Sequence, residues 1–265
     1  MGQIICNLGD QLGPELATTL QIFLERLKNE ITRLTTVKAL TLVASSPLNI
    51  DLRPALAESI SILASFLRKN QRALKLATLG ALEALVRGYR DALTPTMIET
   101  VLQELPPLIS ESDMHVSQLA VGFLTTLARV YPSSLGKVSN AALAPVIALV
   151  RSPLLQGGAL AAVLAFFQAL VATHMPGLGY MELLRLLTGP VYSHTSTGAA
   201  QLSTSPVSPT SASSSSLLTL HKQAFHSIAK CVAALTVACP QVPFLNFCLN
   251  ISIEPHSWNV DSYQS

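Results

Sequence analysis

Apolar residues return every three or four positions along most of the chain, and short polar clusters interrupt them at intervals. Leu16, Leu20, Phe23, Leu24 and Leu27 fall on one helical face. After Asn29 and Glu30 a second set follows at Leu34, Val37, Leu40 and Ala44, closed by Ser45-Ser46-Pro47. The same pairing recurs with Leu56, Ile60, Leu63 and Leu67, a turn at Arg68-Lys69-Asn70-Gln71, then Leu74, Ala77, Ala81 and Leu85. A third pair carries Ile98, Val101, Leu102 and Leu105, a turn over 110–113, then Val116, Leu119, Ala120, Phe123, Leu127 and Val130. At that turn Asp113 is placed to cap the following helix by accepting from its free N–H groups.

A fourth pair spans about 139–173, with its turn at Arg151-Ser-Pro-Leu. The fifth starts near Gly177 with Tyr180, Leu183, Leu184 and Leu187, and its partner resumes only at Leu217, through Leu220, Ala224, Ile228, Val232 and Leu235 to Cys239. Pro14, Pro54, Pro95, Pro145 and Pro176 mark the expected helix starts, because a fixed φ and a missing N–H suit the first turn. Their spacing is close to the ~40–47 residues of a HEAT or armadillo unit. No period-two run survives, so no sheet is expected. The pattern predicts an all-α, HEAT-type (armadillo-like) solenoid of about five helix pairs in a right-handed superhelix, with one additional helix over 3–9. The solenoid is expected over 1–239, interrupted by a Ser/Thr/Pro-rich loop at 193–216. Residues 240–265, with Pro243, Pro255 and Trp258, have no periodicity and read as a disordered tail.

Composition narrows this picture. Hydrophobic residues make up 49%, aromatic residues 5% and charged residues 12%, so the apolar mass is largely aliphatic and suits closely packed helices. A formal charge of +2 argues against a general nucleic-acid or membrane-surface binder. Leu154 to Ala172 is long and apolar, but its large residues Leu160, Val163, Leu164, Phe167, Leu170 and Val171 gather on one face. Alanines fill much of the rest, which reads as a buried solenoid helix and not a membrane span. Cys6, Cys231, Cys239 and Cys248 are few and uneven, as for reduced thiols, and no secretory signal opens the chain.

Candidate chemistry is sparse. His221 and His226 have the wrong offset for one helix face, and Cys231 and Cys239 lack zinc-site spacing. Neither Gly157-Gly158 nor Gly177-Leu-Gly-Tyr has a phosphate-binding frame, and no nucleophile has a positioned base. No catalytic residue, cofactor or metal is therefore expected, and the reading is a non-enzyme. One charge feature remains: Arg68, Lys69, Arg72 and Lys75, with Arg33 and Lys38 one unit earlier, and no acid anywhere in 59–82. These six are the candidate partner-binding residues, suited to an acidic protein surface. The alternatives are a plain solvated helix end, where cations also suit turns and C-termini, and then nucleic acid, for which no run of base-stacking aromatic residues lies nearby. Ser205 and Ser208, each before a proline, are candidate phosphorylation sites, against the plainer reading of the segment as a tolerated insertion.

Several long strings carry a resemblance. Residues 24–34 (LERLKNEITRL), 64–74 (ASFLRKNQRAL), 105–117 (LPPLISESDMHVS), 150–160 (VRSPLLQGGAL), 188–192 (TGPVY) and 227–236 (SIAKCVAALT) closely resemble the cullin-associated and neddylation-dissociated protein family, its second paralog most of all. The resemblance covers 1–193 and 217–239, and it likens the chain to an internal part of a larger protein. It implies an all-HEAT scaffold that binds cullin–RING ligase cores lacking their ubiquitin-like modifier, promotes exchange of substrate receptors, and occurs in nucleus and cytoplasm. As an alternative function it implies a transcription-associated binding module that contacts the TATA-binding protein, and in either case no small-molecule substrate, direct nucleic-acid contact or membrane.

Overall fold

The computed structural model describes residues 2–174, 178–198 and 213–239. Its helices are α1 (Gly2–Leu8), α2 (Glu15–Lys28), α3 (Arg33–Ala44), α4 (Arg53–Leu67), α5 (Arg72–Gly88), α6 (Pro95–Leu102) and a 3-10 turn (Pro106–Leu108). They continue with α7 (Met114–Val130), α8 (Pro132–Lys137), α9 (Ser139–Val150), α10 (Gly157–Ala172), α11 (Tyr180–Gly198) and α12 (Ser213–Ala238). No strand occurs among the described residues. The second helices of successive pairs, α3, α5, α7, α10 and α12, each pack on the next, and α1 joins the same row against α3. The first helices α2, α4 and α6 form the other row. That row is continued by α9, which meets the 3-10 turn, and by α11, which pairs with α12. The protein is an all-α helical-repeat solenoid of two layers.

The core is periodic in register. Along the second helices Val37, Leu79 and Val121 are buried equivalents, as are Leu40, Leu82 and Leu124, and again Val43, Leu85 and Leu127. In α10 the corresponding series is Val163, Phe166, Phe167 and Leu170, and in α12 it is Ile228, Cys231, Val232 and Leu235. The buried arc is wider than the single stripe the sequence predicts, which missed Leu79, Leu82, Leu124 and Phe166. The reason is geometric: a second helix has neighbours on both flanks as well as beneath. Each such Leu or Phe contributes ~1.5–3 kcal/mol by leaving water. α10 is one of these enclosed helices, and no helix among the described residues is long and apolar enough to cross a membrane.

Prolines open helices where predicted at Pro14, Pro54 and Pro95. Pro145 does not, because it lies inside α9, which begins at Ser139. One lost backbone bond is tolerated there, since burial of Ala142, Leu143, Val146 and Leu149 holds the helix on both sides of it. Pro132 opens the short α8 instead, and Pro176 lies outside the described residues. The adjacent prolines at 106 and 107 break the third unit's first helix into α6 and the 3-10 turn, a split the sequence reading missed. Helical backbone also takes residues 193–198 and 213–216 of the expected loop, because extending a nucleated helix costs little per residue. The rest of that loop, with Ser205 and Ser208, lies outside the described residues, as does 240–265.

Candidate protein-binding surface

Antiparallel pairs put the turns within units at one edge of the solenoid and the linkers between units at the other. At the turn edge, Asp113 caps α7 by accepting from the N–H groups of His115 (3.2 Å) and Val116 (3.1 Å). The same carboxylate receives Arg72 Nε at 2.5 Å from the preceding unit. The Arg72 guanidinium and then the backbone N–H of Val116 hold the Asp113 carboxyl below its usual 3.8. Arg68 donates to Glu104 at 2.7 Å. Ser152 in the fourth unit donates to Glu111 in the third at 2.8 Å. The linker edge has its own series. Ser46 donates to the carbonyl of Cys6 (2.6 Å), Tyr89 to that of Ile50 (3.0 Å), and Tyr131 to that of Arg90 (2.5 Å). Each bond spans about one repeat and ties a unit to its predecessor.

The six predicted basic residues are therefore unequal. Arg33 is almost covered, its side chain 13% exposed, with the guanidinium 5.5 Å from the centre of the Phe66 ring. Arg68 and Arg72 are held by acids that lie 36 and 41 residues away in sequence. Among the described residues the side chains of Lys38, Lys69 and Lys75 have no ion-pair or hydrogen-bond partner; the first two are exposed and Lys75 is half-buried. Register makes Lys75 the equivalent of Arg33, and Leu108, its neighbour, the equivalent of Phe66. Between these units a cleft of about 110 Å³ is lined by Asn70, Arg72, Lys75, Leu108, Ser110, Ser112 and Asp113, among others.

Sorting charge by layer shows what a walk along the chain conceals. The second-helix layer carries Arg33, Lys38, Arg72, Lys75, Arg87, Arg129, Lys222 and Lys230 against a single acid, Glu83. Glu83 is already engaged by Arg87 (2.6 Å) and Thr126 (3.3 Å). The first-helix layer is balanced, with Arg26, Lys28, Arg53, Lys137 and Arg185 against Glu15, Glu25, Glu58, Glu99 and Glu182. Sequence reasoning missed Arg87, Arg129, Lys222 and Lys230. Tallying charge helix by helix, once the pairs were assigned, would have found them.

Nucleophile chemistry is not assembled among these residues. Burial pushes the Cys231 thiol up to about 12, so it stays protonated at neutral pH. Among the described residues no three His, Cys, Asp or Glu side chains are grouped to hold a metal.

No family model matches the chain. Its sequence is nonetheless 54% identical over 241 residues to Cullin-associated NEDD8-dissociated protein 2 of Mus musculus, covering 91% of this chain and 18% of that protein. It is 48% identical over 242 residues to Cullin-associated NEDD8-dissociated protein 1 of Drosophila melanogaster, covering 91% of this chain and 19% of the relative. The protein of the same name from Arabidopsis thaliana is 39% identical over 241 residues, 90% of this chain and 18% of the relative. The chain thus spans less than a fifth of the length of these relatives. A crystal structure of an engineered protein shares the arrangement only loosely, with a TM-score of 0.49 and 14% identity over 82% of this chain and 98% of that one. Identity sustained over nine-tenths of a chain whose repeats pack in one register is not a shared helical composition, and over that length the chain is homologous to a segment of the cullin-associated NEDD8-dissociated proteins.

Proposed function

We propose that this chain is a protein-binding scaffold that engages a cullin–RING ligase core lacking its ubiquitin-like modifier, and that it acts in ligase assembly and not in catalysis. The observation that carries the reading is the 54% identity, over 91% of the chain, to a relative named for its association with cullins. The solenoid supports it physically, since stacked helix pairs present extended surfaces and no enclosed reaction chamber. Within that surface Lys38, Lys69 and Lys75 are the predicted basic residues left without an internal partner among the described residues, and so are free to meet acids on another protein. The reading carries with it a nuclear and cytoplasmic location.

The test is a binding titration of the chain against an unmodified cullin–RING core, run beside the same core carrying its modifier. Preference for the unmodified core is expected. Equal binding to both, or none by a chain whose helical signal melts cooperatively, overturns the proposal.

A further inference from the structure

We infer that the outward face of the second-helix layer docks an acidic segment of a protein partner. The inference rests on the protein-binding reading above and adds to it the surface and its chemistry.

Register carries the argument. Lys38 and Lys230 occupy the same level of the second helices, with Gly80, Gly122 and Ala165 between them. Small residues thus leave the middle of this level open, and a lysine stands at either end. Arg87 and Arg129 share a second level, nearer the linker edge. Lys38, Lys230 and Arg129 are exposed, and none has an ion-pair partner among the described residues. A partner carboxylate arriving here meets no resident competitor except Glu83, which is already taken.

The opposite layer is a poor alternative. Its charges balance, and some pair with one another, as Lys28 does with Glu58 and Lys137 with Glu99, both at 2.6 Å. Desolvating such pairs returns little, whereas unpaired lysines gain a partner. Adjacent helices lie ~8–10 Å apart, so the level from Lys38 to Lys230 spans roughly 30–40 Å. A helical acidic segment of ~20–25 residues covers that distance at 1.5 Å per residue. The cleft beside Lys75, about 110 Å³, has room at the edge for one carboxylate side chain, and Asp113, which also lines it, is already held by Arg72. A nucleic acid fits less well, because Phe123, Phe166 and Phe167 are buried and, among the described second helices, only the Phe225 ring is exposed, too little for a run of stacked bases.

Two double variants with the same change in charge make the test. K38E/K230E reverses the second-helix level, and R26E/R185E reverses two exposed cations of the first-helix layer. Each is titrated, beside the wild-type chain, with the unmodified cullin–RING core, with a labelled 20-residue oligoglutamate peptide and with oligo-dT. Thermal melts confirm that both variants fold. The expected result is a loss of ~10-fold or more for K38E/K230E, on the core and on the peptide, with R26E/R185E within ~2-fold of wild type. If the core binds but the two variants weaken it equally or not at all, the inference fails while the cullin reading stands. If the core does not bind but the peptide does, and K38E/K230E abolishes that binding, the cullin reading fails and the acidic-partner surface stands. Tighter binding of oligo-dT than of the peptide, or no binding of any probe, overturns the inference.

Discussion

In the second-helix layer α5, α7 and α10 run 17, 17 and 16 residues without a break. In the first-helix layer the segment paired with α7 is an eight-residue helix and a 3-10 turn, and the one paired with α10 is a six-residue α8 followed by a twelve-residue α9. Prolines account for the difference. Pro106 and Pro107 cannot continue α6, Pro132 starts a new helix, and Pro145 removes a bond within α9. The layers also differ in charge, one balanced and the other strongly cationic. A repeat protein transmits its stacking through contacts between neighbouring units. Here the continuous row supplies that stacking, and the broken row has more freedom to adjust.

The sharpest way to break this comparison is to remove one large side chain from each layer. Phe167→Ala in α10, where the ring is fully buried, is expected to cost ~3–5 kcal/mol in urea unfolding. Ile98→Ala in α6 should cost ~2 kcal/mol, the low end for its type, because the short segment can settle into the space. Equal losses would mean that the first layer is no more yielding than the second.

Gly88→Ala examines the approach of successive second helices. A Cβ there would sit 2.9 Å from the carbonyl oxygen of Ala44, a backbone atom that cannot swing aside. The expected cost is ~1–3 kcal/mol, read as a lower thermal midpoint. The linker-edge tyrosines come next. Tyr89→Phe and Tyr131→Phe each leave one carbonyl without its partner and should lose ~1 kcal/mol. A change below the error of the melt at both positions would show that these bonds do not fasten the units.

Asp113→Asn keeps a capping side chain but removes the charge. Because the folded carboxyl lies below 3.8, its contribution is complete above that value and is lost as pH falls through the lowered value. The gap in melting temperature between wild type and Asp113→Asn should therefore be present at neutral pH and shrink as pH falls below 3.8 and through the lowered folded value. A gap of constant size would show that the ion pair with Arg72 contributes nothing. The smallest effect is expected for Arg68→Gln, whose guanidinium is 67% exposed, at no more than ~0.5 kcal/mol.

Much of the fold was legible because its causes are local. The turn at 68–71, the cap at Asp113 and the buried series Leu56, Ile60, Leu63 and Leu67 follow from residues within a turn or two of one another. Legibility failed where a distant segment decides the outcome. Leu82 and Phe166 were unremarked because the flank they cover exists only once a neighbouring helix is in place. Pro145 was misplaced because tertiary burial overrides its local preference. The candidate site was the least legible part. Residues 59–82 hold no acid, so Arg68 and Arg72 looked unpaired, yet Glu104 and Asp113 reach them from the next unit.

The sequence by itself determined that this chain forms helices in pairs, how long a unit is, where most turns fall, and which proteins its strings resemble. Each of these is encoded by the 3.6-residue period, by capping residues, or by direct identity of segments. Only the tertiary structure decided which cations are already paired and which layer each charge occupies. The physical reason is the register of the stack. The deciding contacts, Arg68 to Glu104, Arg72 to Asp113 and Tyr89 to Ile50, join residues 36, 41 and 39 positions apart, and they form only when one unit packs on the next.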